Sequence, residues 1–384
     1  MTVVPGRAAD ITADWLRGAA NTCEFDGLTS VTAARLGEGV GMTTEIWRLT
    51  LGYADGVRRG PRSLLARILP WSSGRRPAAK AGPRTLVAKL QSSIPPMRDV
   101  ANAYGLYERE VVFYRDIAST IALRSPRAYV AEFDPASRAF VLVMEDLSAM
   151  AAGDQIAGLT LDQLQMAIDQ VAGLHARWWN RAELKGLEDR VQPMGVAPYH
   201  DYNARHAAGW GAFDRFLAGR VSQETRRVGE QLCFKLDGVI ADMMRGPRTL
   251  CHGDFRADNM MFAGKKGRAT GLACVDWQLA LQAPGPFDIG YMMSASVDSR
   301  LRRRYEKRLL RAYHKKLLAA GVRGYDFKAC LLDYRRALLI GFTYLSQSGA
   351  VADMSHPRTV ALYDVGMRRI DAAIREQKLA QLLG

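Results

Sequence analysis

The amino-acid sequence predicts a two-lobed α+β fold, with a small N-terminal lobe built on an antiparallel sheet and a larger, mainly helical C-terminal lobe. The first part of the chain contains strand-like runs around one main helix, in the order strand, strand, strand, helix, strand, strand. After Leu147 the apolar residues instead recur with the period of about 3.6 residues that is typical of helices. The length of 384 residues also exceeds what one ordinary domain needs. We therefore predict a small N-terminal lobe over 1–147 and a helical C-terminal lobe over 148–384.

The N-terminal lobe is expected to open with a short helix over residues 10–21, because Asp10 can cap a segment whose apolar residues recur at helical spacing. Gly37, Gly39 and Gly41 follow the first strand and predict a glycine loop, which a plain hairpin turn explains about as well. The five strands are predicted at 31–36, 43–53, 85–91, 128–133 and 140–144, and the main helix at 106–117.

Residues 57–84 form a basic insert that contains eight Lys and Arg residues and no Asp or Glu. Its leucines and its tryptophan could form a basic amphipathic helix that touches anionic lipid or a partner, or that lies over the nucleotide. Its prolines and glycines instead favour a solvated loop, which is the interpretation we adopt. A peripheral membrane contact through 57–84 stays open as an alternative.

The C-terminal lobe is expected to begin with a helix whose capping box is made by Thr160 and Gln163. At least one of Trp178 and Trp179 is interpreted as a core residue, and His175 as a buried histidine whose hydrogen bonds are satisfied. The many Lys and Arg residues of 300–316 are interpreted as the solvated face of an amphipathic helix. Later helices are predicted at 213–217, 228–244, 298–320, 333–345 and 360–383, and a single strand at 272–277.

Charge and cysteine content narrow the classes of function. The formal charge of +14 favours anionic partners such as nucleotides, phosphates or coenzyme A esters. The five cysteines are far apart and form no CxxC pair, which favours the reduced cytoplasm. We expect no signal peptide, no membrane-spanning helix and no nucleic-acid partner, because no sequence signature of these is present. The oligomeric state is left open.

The most informative motif is His252-Gly253-Asp254, followed by Asn259 and, after a short apolar run, by Asp276. Transfer of a phosphoryl group from ATP needs a carboxylate that orients the attacking hydroxyl and accepts its proton, and oxygen ligands that hold Mg²⁺ against the phosphates. Asp254 fits the first role, and Asn259 and Asp276 fit the second. Alone, the tripeptide could arise by chance, but the set in this order favours the chemistry.

A cation for the phosphates is expected at Lys89, on the third strand of the N-terminal lobe. Glu110, on the following helix, could hold the Lys89 ammonium by an ion pair. Taken alone, Lys89 could equally be a charge that keeps an edge strand soluble. In the catalytic segment, Arg256 is interpreted as a partner in a salt bridge within the loop, and Asp258 as a loop or capping residue.

Together these motifs resemble the aminoglycoside phosphotransferase and choline kinase superfamily, which shares the protein-kinase-like fold. They look most like its ecdysteroid kinase-like branch, and somewhat like the phosphotransferase modules joined to acyl-CoA dehydrogenases. The pieces that carry the resemblance lie in order over about residues 30–295: Arg109-Glu110-Val111, Met144-Glu145-Asp146-Leu147, Leu174-His175-Ala176, the segment from His252 to Asn259, Val275-Asp276-Trp277-Gln278 and Phe287-Asp288-Ile289-Gly290-Tyr291.

The resemblance implies further roles. Residues 144–147 would form a hinge that meets adenine, with Glu145 and Leu147 as contacts, and Gly39 would approach the phosphates. His252 would brace the catalytic loop. Asp288 would be structural. The Gly-x-Gly-x-Gly spacing of the loop departs from the usual GxGxxG, which puts its phosphate contacts in doubt.

The sequence thus predicts an ATP- and Mg²⁺-dependent phosphotransferase that modifies a hydroxyl of a small molecule. Resemblance points to a lipophilic alcohol or a hydroxyacyl-CoA as the acceptor, and the net charge fits an anionic ester better than an aminoglycoside. Two alternatives stay open. One is a nucleotide-binding regulator without transfer activity, and the other is an aminoglycoside-type antibiotic phosphotransferase.

Overall fold

The structure is a computed structural model that describes residues 3–36, 43–54, 82–198, 200–265, 268–349 and 354–384. The chain divides into two compact units. The N-terminal unit comprises Met1–Ser119 and Ser125–Met150, and the C-terminal unit comprises Thr120–Arg124 and Ala151–Gly384. We propose that these units are the two lobes predicted at 1–147 and 148–384.

The N-terminal unit is built on a five-stranded antiparallel sheet with the strand order β1-β2-β3-β5-β4. Along the central strand β3, Leu86, Ala88 and Leu90 are buried in the hydrophobic core, which places the alternate residue Lys89 on the opposite face. The strands are β1 Leu28–Leu36, β2 Thr44–Tyr53, β3 Thr85–Gln91, β4 Ala128–Phe133 and β5 Phe140–Glu145.

In the described part of this unit, three α-helices accompany the sheet, α1 Ala13–Ala20, α2 Pro95–Ala103 and α3 Leu106–Val112. Thr12, not Asp10, caps α1, since its hydroxyl accepts a hydrogen bond from the Trp15 N–H at 3.1 Å. Helix α2 is absent from the sequence prediction, because its two prolines read as a break although proline is favoured in the first turn. The predicted helix over 106–117 is α3 followed by a wider π-helical turn, Phe113–Ile117.

The C-terminal unit is mainly helical, as predicted, and its first helix begins at the predicted capping box. The Gln163 N–H donates to the Thr160 hydroxyl at 3.3 Å, and the Thr160 N–H donates to the Gln163 side chain at 2.9 Å. The helices predicted at 213–217, 228–244 and 333–345 begin earlier in the structure, because the apolar runs mark only the buried stripe of each helix. The helix predicted at 298–320 agrees within one residue at each end, and the one predicted at 360–383 ends earlier, at Glu376. The helix Pro286–Ser296 is absent from the sequence prediction. The helices are α4 Leu161–Trp178, α5 Tyr202–Leu217, α6 Gln223–Met244, α7 Pro286–Ser296, α8 Ser299–Ala319, α9 Phe327–Gly349 and α10 Pro357–Glu376.

The strand predicted at 272–277 overlaps the observed strand Arg268–Cys274, but the prediction that it is the single strand of this unit is wrong. In the described part of the unit there are five short strands, in a three-stranded sheet of order β6-β8-β9 and a separate β7-β10 pair. Strands of two to seven residues are too short for a clear alternating pattern, so the sequence carries little signal for them. They are β6 Ala151–Ala152, β7 Thr249–Cys251, β8 Met260–Lys265, β9 Arg268–Cys274 and β10 Leu281–Ala283.

Among the described residues, the structure has no helix whose length and apolar character would let it cross a lipid bilayer.

Candidate active site

The catalytic segment predicted from the sequence follows β7 and turns sharply at Gly253. Gly253 has φ of +84°, and a Cβ atom there would lie 1.9 Å from the Leu279 carbonyl oxygen. The turn is held by the Asp288 carboxylate, which accepts hydrogen bonds from the His252 N–H at 2.8 Å and the Gly253 N–H at 3.0 Å. Only glycine fits this position, and the turn directs the next residue, Asp254, out of the β7 strand.

Substitution of Gly253 is expected to be costly. Gly253→Ala should lower the free energy of unfolding by about 3 kcal/mol or more, because it adds a steric clash to an unfavourable backbone conformation. Gly219→Ala is the matched control, since Gly219 has φ of +73° but open space around its Cβ position. The control should lose only about 1 kcal/mol. Equal losses in urea unfolding of the two variants would contradict this account.

Asp254 is 8% exposed and is held from two sides. The Arg256 Nε donates to both carboxylate oxygens, at 2.9 and 3.0 Å, and the Asn259 Nδ2 donates to one of them at 2.7 Å. Burial opposes ionisation of Asp254 and would raise its pKa. The positive charge of Arg256 and the hydrogen bonds from the neighbouring groups lower the pKa by more than burial raises it, so the pKa of Asp254 lies below its ordinary value. The carboxylate is therefore ionised at neutral pH and fixed in orientation.

Arg256 is itself held in place by Asp258 and by Gln155, a residue that the sequence did not point to. Its Nη1 donates to the Gln155 side-chain oxygen at 2.9 Å and to Asp258 at 3.2 Å. Arg369 on α10 in turn donates to the backbone oxygens of Gln155 and, at 3.0 Å, of Ile156. The predicted salt bridge of Arg256 within the loop is present, and Asp258 acts as a loop residue. No local pattern marks Gln155 or Arg369, because each acts across a long stretch of chain.

His252 links the catalytic segment to the strand end that carries Asp276. Its Nε2 donates to the Val275 carbonyl at 3.0 Å, and its Nδ1 accepts from the Asp254 N–H at 3.3 Å, which together define one neutral tautomer. Burial lowers the pKa of His252, despite the acidic groups nearby that favour its charged form. The geometry fits a bracing role for His252, in line with the resemblance.

The buried histidines predict how stability depends on pH. Burial lowers the pKa of His252 and of His206 below the ordinary histidine value of 6.5. The unfolded chain therefore takes up protons at a pH where the folded chain does not, so stability is lost as the pH falls below about 6.5. We expect the melting temperature to decrease between about pH 7.5 and pH 5.5, above the ordinary range of carboxyl groups. A melting temperature that rises over this interval would contradict the burial of neutral imidazoles.

The two predicted metal ligands lie at the same end of the β8–β9 strand pair. Met260 and Cys274 are paired across these strands, and the Val275 N–H donates to the Asn259 carbonyl at 3.0 Å. Asn259 therefore immediately precedes β8, beside the turn where Asp276 follows β9. Asp276 has φ of +66°, a conformation that costs free energy for a residue other than glycine and is often found at functional sites.

The chemistry of these two side chains fits Mg²⁺. The Asn259 Nδ2 donates hydrogen bonds to the Asp254 carbonyl oxygen at 2.9 Å and to a carboxylate oxygen of Asp254 at 2.7 Å. This orientation leaves the amide oxygen as the coordinating atom, and no described residue donates a hydrogen bond to it. An amide oxygen and a carboxylate are the hard oxygen ligands that Mg²⁺ prefers.

In the N-terminal unit, Lys89 and Glu110 form a buried ion pair. The Lys89 Nζ lies 2.9 and 2.7 Å from the two carboxylate oxygens, and the two residues are 4% and 0% exposed. Helix α3 is fixed to the sheet by Tyr107, which stacks on Phe140 with ring centroids 5.0 Å apart and accepts a hydrogen bond from the Ser92 N–H at 3.1 Å. Lys89 is thus a positioned ammonium and not a charge on an edge strand.

The residues of the predicted hinge, 144–147, lie at the end of β5 and directly after it. The Glu145 N–H donates a hydrogen bond to the Arg127 carbonyl at 2.8 Å, so this backbone amide already has an acceptor beside the sheet. Leu147 is buried, and its carbonyl accepts from the Met150 N–H at 2.8 Å. Within the described part of the chain its own N–H donates to no carbonyl. Gly39 and residues 57–81 of the basic insert lie outside the described residues.

His175, Cys251 and Asp288 bring three possible metal ligands within 4.8 Å of one another in the core of the C-terminal unit. These atoms already have partners: His175 contacts the Tyr313 hydroxyl at 2.8 Å and Asp288 at 3.2 Å. Burial raises the pKa of the Cys251 thiol well above its ordinary value, so no thiolate is available. We interpret the group as the support that holds Asp288, and through it the turn at Gly253.

A narrow cavity opens beside the catalytic loop. Its volume is about 20 Å³, which is room for about one water molecule, and its lining comprises Gln155, Tyr291, Ser294, Ala295, Gly341, Leu345, Gly366 and Ile370. Two of these residues interact with the catalytic loop. Gln155 binds Arg256, and burial followed by the charge of Asp254 raises the pKa of the Tyr291 phenol well above its ordinary value. No sequence pattern indicates this cavity, because α7, α9 and α10 build it from separate parts of the chain.

Comparison with known proteins connects this geometry to a family. The sequence profile of the ecdysteroid kinase-like family matches residues 63–321. No curated protein sequence shows a significant match to the chain.

Solved structures share the fold at low sequence identity. A candidate aminoglycoside phosphotransferase from Ralstonia eutropha JMP134 is 14% identical, with 95% of this chain and 97% of that chain covered and a TM-score of 0.54. A choline/ethanolamine kinase family protein from Mesorhizobium loti is 14% identical, with 96% and 97% covered and a TM-score of 0.45. An ethanolamine kinase from Plasmodium vivax is 12% identical, with 94% and 87% covered and a TM-score of 0.47. The likeness to the first of these shows the kinase-like fold.

Proposed function

The chain belongs to the ecdysteroid kinase-like family and is a small-molecule kinase, and from this premise we propose that it transfers the γ-phosphoryl group of ATP to a hydroxyl of a lipophilic small molecule. The family match agrees with the resemblance that the sequence motifs predict. The observation that carries the proposal is the ionised Asp254 carboxylate, buried and oriented by Arg256 and Asn259 within one loop.

Asp254 would act on the acceptor. Its carboxylate would accept a hydrogen bond from the acceptor hydroxyl and take its proton as the hydroxyl oxygen forms a bond to the γ-phosphorus. The bond between that phosphorus and the bridging oxygen of ADP breaks in the same displacement. Because the pKa of Asp254 is lowered, its main contribution would be to orient the hydroxyl.

Several residues have a proposed role toward the nucleotide. Lys89, fixed by Glu110, would contact the α and β phosphates, and the hinge residues Glu145 and Leu147 would contact adenine. The Leu147 N–H supports this role, since no carbonyl in the described part of the chain accepts it. Gly39 stays a proposed phosphate contact. Asn259 and Asp276 would hold Mg²⁺, which supplies charge neutralisation of the phosphates when bound.

The cavity supports an uncharged, lipophilic acceptor. Its lining contains no Asp, Glu, Lys or Arg, and five of its eight residues are glycine, alanine, leucine or isoleucine. A polycationic aminoglycoside would need carboxylates to replace its hydration, and this cavity offers none. The chemistry of the lining would suit the hydroxyl-bearing end of a lipophilic alcohol or of a hydroxyacyl group better, and the side chains around it would have to move to admit more than that end.

A cytoplasmic location is also proposed. Cys233, Cys251, Cys274 and Cys330 are buried free thiols, and Cys23 is an exposed one. Free thiols without disulfides are typical of a reducing compartment.

The proposal is tested by mass spectrometry of small molecules. The purified protein is incubated with ATP, Mg²⁺ and separate panels of lipophilic alcohols, hydroxyacyl-CoA esters and aminoglycosides. We expect one phosphoryl group to be added to members of the first or second panel. Phosphorylation of aminoglycosides alone would overturn the proposed acceptor class, and nucleotide binding without any product in any panel would favour a regulator.

The cavity makes a separate prediction. Gly366→Leu places a side chain in the cavity, beside Leu345, whose nearest atom lies 3.2 Å from the position that a Cβ atom of residue 366 would take. We expect kcat/KM for the acceptor to fall by about 10-fold or more with KM for ATP unchanged. Gly173→Leu is the matched control, since Gly173 is an exposed helical glycine with open space around it, and it should leave both constants unchanged. A Gly366→Leu enzyme with normal acceptor kinetics would exclude this cavity as the acceptor site.

A further inference from the structure

Helix α8 carries a stripe of positive charge along its exposed face. Six of its exposed residues are Arg300, Arg304, Lys307, Arg308, Arg311 and Lys315. At about 100° per residue they fall within one sector about 100° wide, and they extend over about 22 Å of the helix. We call these six residues the α8 basic stripe.

Among the described residues, no acidic side chain neutralises this stripe. None of the six forms a salt bridge there, whereas the neighbouring Arg303 and Lys316 pair with Glu376 and Asp169. The only acid within α8, Glu306, is buried and bonded to Arg302 at 2.9 Å. A solvated helix face would normally mix charges of both signs, so this arrangement favours an anionic surface as its partner.

We propose that the α8 basic stripe docks the protein on the anionic headgroups of a membrane. A straight helix with its cations on one side can lie flat on a planar surface, where each cation gains free energy from the surface potential. Leu318, which is 38% exposed, lies in the same sector at the end of the stripe and can enter the headgroup region.

Two observations favour a membrane over a nucleic acid. The aromatic ring beside the stripe, Tyr305, is covered by the guanidinium groups of Arg304 and Arg308, whose carbons lie 5.3 and 5.2 Å from its centroid. A base that stacks on this ring would compete with these guanidinium groups. The stripe also follows directly after α7, which lines the cavity next to the loop of Asp254. This second argument rests on the proposed function, because a lipophilic acceptor partitions into membranes.

The test is sedimentation of the full chain with vesicles of phosphatidylcholine, with and without phosphatidylserine, in the absence of ATP and acceptor. The stripe variant is Arg300→Gln with Lys307→Gln and Lys315→Gln, three residues whose side chains form no hydrogen bond or ion pair among the described residues. The matched control is Lys185→Gln with Arg215→Gln and Arg227→Gln, which removes three exposed charges elsewhere in the C-terminal unit. Unchanged melting temperatures establish that all the proteins are folded.

We expect the wild type and the control to bind vesicles that contain phosphatidylserine, and the stripe variant to bind them about 100-fold more weakly. If the stripe variant still binds these vesicles as the wild type does, another segment, such as 57–84, is responsible for the binding, and the proposal is overturned. Stripe-dependent binding to duplex DNA without binding to vesicles would overturn it in favour of a nucleic acid. Because neither ATP nor acceptor is present, failure of the proposed kinase activity would leave these outcomes unchanged.

Discussion

The Asp254→Asn variant is expected to phosphorylate its acceptor about 10³-fold more slowly than the wild type. The asparagine amide has the size of the carboxylate, but it cannot take the proton. Only its oxygen can accept a hydrogen bond, whereas both carboxylate oxygens of Asp254 accept hydrogen bonds from Arg256 and Asn259. The nucleotide contacts proposed for the N-terminal unit are untouched. The loss should therefore appear in kcat, measured by ADP release in the presence of acceptor, with ATP affinity retained.

Asp258→Asn is the matched control for this variant. Asp258 lies in the same loop, and one of its carboxylate oxygens contacts Arg256. The other oxygen accepts a hydrogen bond from the Gln155 N–H at 2.8 Å, so the proposal gives Asp258 no contact with a reacting group. We expect its turnover to stay within about 10-fold of the wild type. If the two variants lose activity equally, the loop is merely sensitive to charge, and Asp254 is not the group that orients the hydroxyl.

Lys89→Ala should give the largest loss of stability together with a loss of ATP affinity. Removing the ammonium leaves the fully buried Glu110 carboxylate without its cation, which costs about 3–5 kcal/mol of unfolding free energy. Urea unfolding measures this loss, and titration calorimetry measures the affinity for ATP. Unchanged stability would mean that Glu110 finds another partner or becomes protonated.

A double variant separates the structural role of the ion pair from its proposed role in binding. Lys89→Met with Glu110→Leu replaces both charges by apolar groups of similar size, which is often neutral or stabilising for a buried pair. We expect this protein to regain most of the lost stability while ATP binding stays weak. Restored ATP binding would show that Lys89 acts only through the fold.

The sequence predicts the N-terminal sheet well, for a physical reason. Along β3 the buried residues Leu86, Ala88 and Leu90 alternate with Lys89, and this period of two is visible in one short segment. The bounds of β3 and β4 agree with the prediction. Helix α2 escapes prediction because Pro95 and Pro96 are read as breakers unless the start of the helix is already known.

Part of the candidate site could likewise be predicted from the sequence, and part of it could not. Lys89 with Glu110, and Asp254 with Asn259, could be predicted because each pair combines chemically distinctive residues at a recognisable spacing. Gln155 and Arg369 could not, since an amide and an arginine in ordinary segments acquire their roles only when tertiary packing brings them together. The cavity could not be predicted for the same reason.

The contact between Arg369 and Gln155 has a consequence for how the protein is made. The two residues are separated by 214 positions in the chain, and the segment that holds Arg256 lies between them. During synthesis the segments around residues 155 and 256 leave the ribosome long before α10 does. The support of Arg256 is therefore complete only after α10 has been synthesised and has folded against the segment around residue 155. Such long-range closure also predicts slow final assembly of the C-terminal unit.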